Sequence, residues 1–313
     1  MQHHYELADV HLTQPSLVTI GVFDGMHRGH QHLIRALVEQ ARAANRLSVV
    51  ITFFPHPDAV LRGINGRYYL TTPDQRAALM GELGVDHVVT LAFNDDFRQI
   101  RAAAFVDRMV EHLRLQQLSV GADFAMGYQR EGNIDFLRAQ GEQKGFTVQV
   151  IDMVRANDGT DGEKISSMHI REALNEGRVE QAKDWLGRAY SVTGEVVHGE
   201  QRGRKIGFPT ANVDVWRDLV IPATGVYAGW AILGGERYQA VTNVGYRPTF
   251  EGQGITVEVH LLDFNREIYG QTLTFTFETR LRPEQKFDGI QALIAQIAVD
   301  AEAGRAYLSQ HPD

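Results

Sequence analysis

The sequence contains no cysteine. Disulfides, thiolate zinc sites and cysteine nucleophiles are therefore excluded. No apolar run approaches the roughly 18 residues of a membrane span. The opening stretch MQHHYELADV is acidic and polar, without the pattern of a signal peptide. These absences read as a cytoplasmic protein with no membrane partner. A basic excess is missing too: 31 Lys and Arg stand against 39 Asp and Glu, a formal net charge of −8. Nucleic-acid binders usually carry a basic footprint, so no nucleic-acid partner is expected. Small anionic substrates stay open, because helix ends and single arginines override net charge locally. Internal repeats and low-complexity segments are absent as well.

What remains is a chain of 313 residues, 43 % of them hydrophobic. That length suggests two domains, and that composition is enough for packed cores. In the first half, strand and helix take turns. SLVTIGVF (16–23) reads as a strand buried on both faces. Residues 30–44 then carry Leu33, Ile34, Leu37, Val38 and Ala41 at helical spacing. LSVVITF (47–53), VDHVVTL (85–91), QLSVG (117–121) and FTVQVID (146–152) are further strands, and TTPDQRAALMGELG and AAAFVDRMVEHL are helices. This alternation predicts a Rossmann-like, mostly parallel sheet covered on both faces.

After ISSMHIREALNEGRVEQAKDWLG, two short helices meeting near Gly177, the helical period stops. Six strand-like segments follow, YSVTGEVVHG, TANVDV, GVYAGWAIL, RYQAVTNVG, ITVEVHLL and QTLTFTFE, separated by turns such as Gly234-Gly235. They predict a small six-stranded antiparallel barrel, closed by a helix over roughly 284–308. The expected boundary gives domains 1–186 and 187–313.

GVFDGMHRGH (21–30) places two histidines at the end of a buried strand, where a helix begins. Ligands of α/β sheets bind beyond the carboxyl ends of strands, and helix N-termini favour anions. Gly25 and Gly29 let a ligand approach the backbone. His27 and His30 are open to three readings: metal ligands, a structural role, or contact with phosphate. A zinc site lacks a third ligand at a familiar spacing.

GMHRGH resembles the HxGH motif of nucleotidylyltransferases. GVFDGMHRGHQHLI together with TFFPHP closely resembles the bacterial bifunctional riboflavin kinase/FAD synthetase family, and the resemblance covers nearly the whole chain. It implies that His27 and His30 face ATP phosphates and stabilise charge at the α-phosphorus, with Phe23, Asp24, Gly25 and Gly29 around the nucleotide. KISSMHIREAL (164–174) is similar to the family's ISSTxIR stretch, which implies phosphate contacts from Ser166, Ser167 and Arg171. Met168 stands where the family has threonine. Without the resemblance this stretch is a Ser-capped helix. TFFPHPDAV and VGADFAMG would be ordinary strand ends. By resemblance Pro55, Pro57, Asp123, Phe124 and Met126 approach the flavin, Met126 replacing a second aromatic.

In the second half, GRKIGFPTANV (203–213) puts Thr210 and Asn212 on the same side of an extended chain. A hydroxyl and an amide oxygen side by side suit Mg²⁺ or phosphate, and a turn entering a strand is the plainer alternative. The stretch matches the GxxxGxPTAN motif of riboflavin kinases. That implies ATP contacts from Gly203, Lys205, Gly207 and Thr210, with Mg²⁺ at Thr210 and Asn212. Alternation in TVEVHLL sets Glu258 and His260 on one face. The resemblance makes Glu258 the general base and puts Arg282 of RLRPEQKF, on a mobile flap, beside the flavin. The implied activities are phosphorylation of riboflavin to FMN and adenylylation of FMN to FAD, each using ATP, with Mg²⁺. The implied partners are these small molecules, and a monomer or weak oligomer is expected. A riboflavin kinase whose first domain has decayed into a flavin-binding module is the alternative.

Overall fold

The computed structural model describes residues 1–151, 165–199, 203, 206–249 and 252–312. They form two compact units, Met1–Ser167 and Met168–Asp313.

The first unit is built on β1 (Gln2–His4), β2 (Ser16–Ile20), β3 (Leu47–Phe54), β4 (His87–Ala92), β5 (Leu115–Gly121) and β6 (Thr147–Ile151). Their order is β1-β4-β3-β2-β5-β6, and every pairing is parallel. Parallel neighbours need crossovers, and the helices supply them. α1 (Arg28–Ala43), α2 (Pro57–Arg62) and α3 (Pro73–Glu82) lie between β2 and β4 in the chain. Leu33, Ile34, Leu37 and Val38 of α1 and Ala77 and Met80 of α3 bury one face of the sheet with Leu17, Val50 and Val88. α4 (Asp95–Arg98), α5 (Ala102–Leu113) and α6 (Ile134–Lys144) follow β4 and β5. Phe105, Val106 and Met109 of α5 and Leu137 of α6 close the other face over Val18, Ile20, Val49, Ile51 and Val89.

Strand order reverses at β2, whose neighbours are β3 and β5. The loop after β2 therefore opens at the switch point where such sheets take ligands. Thr72 caps α3 in a reciprocal box with Gln75, and Pro73 occupies the first turn. β1, α2, α4 and α6 are additions to the sequence-based expectation.

The second unit begins at Met168, one residue into α7 (Ser167–Asn175), and continues with α8 (Val179–Leu186). The barrel strands are β7 (Tyr190–Val197), β8 (Ala211–Val215), β9 (Gly225–Leu233), β10 (Glu236–Thr249), β11 (Gly252–Leu261) and β12 (Thr272–Pro283). They close in the order β10-β11-β8-β7-β12-β9, with every pairing antiparallel. All six predicted segments are strands. Gly234 and Gly235, both at positive φ (57° and 87°), make the two-residue turn between β9 and β10. The final helix, α9 (Ile290–Gln310), starts after Gly289, so Phe287 precedes it.

Candidate active sites

In the first unit, the loop after β2 turns sharply. Phe23, Gly25 and Met26 all take positive φ. The turn delivers His27 to the N-cap of α1, where its Nδ1 accepts the His30 backbone N–H at 3.3 Å. An accepting Nδ1 leaves the proton on Nε2, so the neutral ring donates from that side. The two imidazoles stack with centroids 3.6 Å apart and planes 20° from parallel. Phe23 meets the His30 ring edge-on at 5.2 Å. His27 is buried, and the Nδ1 of His30 is buried with no hydrogen-bond partner among the described residues. Burial, then His27, then Arg76 push the His30 pKa well below the ordinary value. His30 is therefore a neutral imidazole at pH 7.

Asp24 is buried beneath this loop. Its carboxylate accepts the backbone N–H groups of Leu70 and Thr71 and the Thr71 hydroxyl, each at 3.1 Å. Its carbonyl accepts the hydroxyl of Ser167, the last residue of the first unit, at 2.9 Å. Gly29 is buried, and a Cβ there would press on the His27 ring at 3.2 Å. Pro55, which follows a cis peptide bond, and Pro57 flank the buried His56. Phe124 and Met126 pack partly buried on the α5 side of the sheet, while Asp123 is exposed. Ser166 precedes α7, and Met168 and Arg171 lie on it in the second unit.

In the barrel, two cavities share a wall. The larger, about 750 Å³, is lined by Gly203, Thr210, Asn212, Glu258, Arg282 and Phe287, among others. The smaller, about 380 Å³, is lined by Pro209, Thr210, Asn212, Arg266, Glu267 and Tyr269, among others. Thr210 and Asn212 belong to both. Asn212 pairs in register with Glu258 across β8 and β11. Thr256, Glu258 and His260 line the larger cavity, while Val257 and Val259 are buried between them in sequence. His260 Nδ1 lies 2.8 Å from the Pro209 carbonyl oxygen, which fixes the entry to β8. Gly203 accepts the N–H groups of Ile206 and Phe208, folding the turn that contains Gly207. Lys205 lies outside the described residues. Arg282 stands near the end of β12 and is held by Asp300 of α9 through Nε at 3.0 Å and Nη2 at 2.7 Å. No group of three or more His, Asp or Glu among the described residues converges to hold a metal ion. Thr210 and Asn212 offer two neutral oxygen donors. That set suits Mg²⁺, which keeps waters and leans on substrate phosphates.

The family model for FAD synthetase matches residues 9–169, and that for riboflavin kinase matches residues 186–308. The chain belongs to the bifunctional riboflavin kinase/FMN adenylyltransferase family. The family member so named from Listeria monocytogenes is 37 % identical, covering 99 % of this chain and 98 % of its own. That from Pseudomonas fluorescens is 41 % identical, over 93 % of this chain and 92 % of its own. A crystal structure described as a macrolide-efflux protein from Streptococcus pneumoniae has a TM-score of 0.86 at 30 % identity. It covers 97 % of this chain and 98 % of that one. In the present family member, no helix among the described residues is long and apolar enough to cross a membrane.

Placed in this family fold, Phe23, Asp24, Gly25, His27, Gly29, His30 and Ser167 come together in the first unit. Gly203, Thr210, Asn212, Glu258 and Arg282 come together around the larger barrel cavity. Two residues were not anticipated. Asp300 binds Arg282 from the last helix, and Arg76 lies fully buried beside Asp24.

Proposed function

We propose that this chain phosphorylates riboflavin to FMN in the barrel, and adenylylates FMN to FAD in the first unit. The supporting observation for the kinase is the shared wall of Thr210 and Asn212, with Glu258 in register opposite Asn212. A nucleotide on one side and a flavin on the other would meet at that wall. The riboflavin 5′-oxygen attacks the γ-phosphorus, the bond to the β,γ-bridging oxygen breaks, and ADP leaves. Glu258 takes the hydroxyl proton as general base. Thr210 and Asn212 would hold Mg²⁺, which supplies charge neutralisation at the phosphates. Gly203, Lys205 and Gly207 are assigned to ATP, and Arg282 to the flavin side.

For the second reaction, an FMN phosphate oxygen attacks the α-phosphorus of ATP and pyrophosphate leaves. The nucleophile is already anionic, so no base is needed. His27 donates from Nε2 to the developing charge, and His30 beside it is the second imidazole of the site. A phosphate oxygen at His30 would satisfy a nitrogen that is otherwise buried without a partner. Ser166, Ser167 and Arg171 are assigned to the triphosphate. Pro55, Pro57, Asp123, Phe124 and Met126 are assigned to the flavin. Flavins and nucleotides are its proposed partners, as a monomer or weak oligomer in the cytoplasm.

The test is incubation of the protein with riboflavin, ATP and Mg²⁺ and separation of the flavins by chromatography. FMN should form first and FAD after it, with ADP and pyrophosphate released. FMN accumulating without FAD would leave the first unit as a binding module only.

A further inference from the structure

Arg76 lies on α3, and its side chain is 0 % exposed. A guanidinium in such a place must spend its donors on fixed partners. Nη1 donates to the Val22 carbonyl at 2.8 Å, to the Thr52 hydroxyl at 3.1 Å and to the Phe53 carbonyl at 3.1 Å. Nε points to the Thr71 hydroxyl at 3.4 Å, and Nη2 lies 3.7 Å from the Asp24 carboxylate. One planar group thus gathers two loops of the first unit. Val22 and Asp24 belong to the loop that delivers His27. Thr52 and Phe53 are near the end of β3, whose last residue, Phe54, immediately precedes Pro55. Thr71 adds a tie from the segment entering α3, because it also accepts the Gly25 N–H at 3.2 Å.

We infer that Arg76 is a positioning residue for adenylyl transfer, setting the spacing between the histidine loop and the Pro55 loop. The inference rests on the proposed function, in which ATP occupies the first loop and FMN approaches the second. The two reacting groups would then be carried on supports that share one side chain. In-line transfer needs its atoms about 3–3.5 Å apart, and a misplacement of about 1 Å costs on the order of 10²-fold in rate. Lysine cannot replace this fork. Its ammonium presents three donors from a single nitrogen, so it cannot span the Val22 and Phe53 carbonyls and Asp24 together. The charge of Arg76 also helps to keep His30 neutral.

The experiment uses the full chain, with Arg76→Lys and, separately, Thr52→Val. The first keeps the charge and loses the fork. The second keeps shape and removes one acceptor of Arg76, together with the Thr52 hydroxyl's own bond to the Val22 carbonyl at 2.8 Å. Conversion of FMN and ATP to FAD and pyrophosphate is measured over both substrate concentrations, alongside phosphorylation of riboflavin. In Arg76→Lys, kcat for FAD formation should fall about 10- to 100-fold, with both KM values within about threefold of wild type. Thr52→Val should show the same split with a smaller fall, about three- to tenfold. The pH profile of FAD formation should keep its shape in both, because the buried cation remains. Riboflavin phosphorylation should be unchanged. Retained KM values show that the first unit is folded. An unchanged kcat in Thr52→Val and Arg76→Lys overturns the inference, and so does a rise in KM that accounts for the whole loss. A wild-type protein that makes FMN but no FAD removes the proposed function instead.

Discussion

Asn212 and Glu258 are direct partners across β8 and β11, and both side chains face the larger barrel cavity. The pairing follows from strand alternation on both sides. Ala211 and Val213 are buried next to Asn212, and Val257 and Val259 are buried next to Glu258. A one-residue slip would bury the amide and the carboxylate together, so the apolar neighbours hold the register.

Glu258→Gln keeps that register and the cavity's shape but loses the carboxylate. Phosphorylation of riboflavin should fall by about 10²–10⁴-fold, the usual contribution of a general base. Conversion of supplied FMN to FAD should continue at the wild-type rate. Steady-state rates of both reactions at saturating ATP provide the check, and near-normal phosphorylation would remove Glu258 from the mechanism.

His30→Ala should do the reverse. FAD formation should stop while FMN accumulates, because the barrel lies in the other unit. Chromatography of the flavins resolves the two outcomes. Loss of FMN formation in this variant would contradict separate sites.

His30 also makes stability depend on pH. Its folded-state pKa is depressed, so the unfolded chain binds the extra proton first as pH falls. The contribution is complete above the unfolded value near 6.5 and is lost progressively as pH drops below it toward the folded value. The slope from one such group is at most about 1.4 kcal/mol per pH unit. His30→Gln should flatten the decline in first-unit stability between pH 7 and pH 5, as read by urea unfolding. An identical slope in the variant would show that His30 carries a proton in the folded state.

Met168 is 60 % exposed, so replacing it should change stability by no more than about 0.5 kcal/mol. Any change of rate in Met168→Thr then reports the added hydroxyl. FAD formation should speed up, since one hydrogen bond to a charged group contributes about 1.5–3 kcal/mol. A rate equal to or below wild type would show that this position does not reach the phosphates.

Asp300 is 5 % exposed and accepts from both Arg282 and Gln296. Asp300→Ala would leave the Arg282 cation, itself mostly buried, without its carboxylate. Barrel stability should fall by about 3 kcal/mol, and KM for riboflavin should rise because Arg282 lines the cavity. Thermal unfolding and initial rates test the two parts separately.

The barrel was legible in the sequence because β8 and β11 alternate buried and cavity-facing residues, and glycine turns interrupt the strand-like segments. The histidine loop was legible because a fully buried strand runs straight into glycines and a helix. Arg76 was not, because an arginine in a helix reads as solvated. Its one signal is position: it precedes Ala77 by one residue and Met80 by four, inside the stripe that packs on the sheet. The sequence did not show that the Asp24 carboxylate accepts the backbone N–H groups of residues 70 and 71, which are 46 and 47 positions away in the chain. β1 escaped notice because Gln2, His3 and His4 bury little; backbone pairing with β4 makes the strand. α6 shows no stripe, since only Leu137 and Gly141 are buried along it.

The strand order of the barrel has a consequence for how the chain is made. β7 is hydrogen-bonded to β12, with Tyr190 opposite Phe277, and β12 also pairs with β9. The ring cannot shut until β12 has left the ribosome, whatever the earlier strands have done. The sheet of the first unit needs nothing beyond β6 for its pairings. Synthesis runs from the N-terminus at about 5–20 residues per second, so the first unit has several seconds to form before the barrel can close. During that interval β7 to β11 are exposed strands without their final neighbour, and a stalled ribosome there would present open edges to other chains.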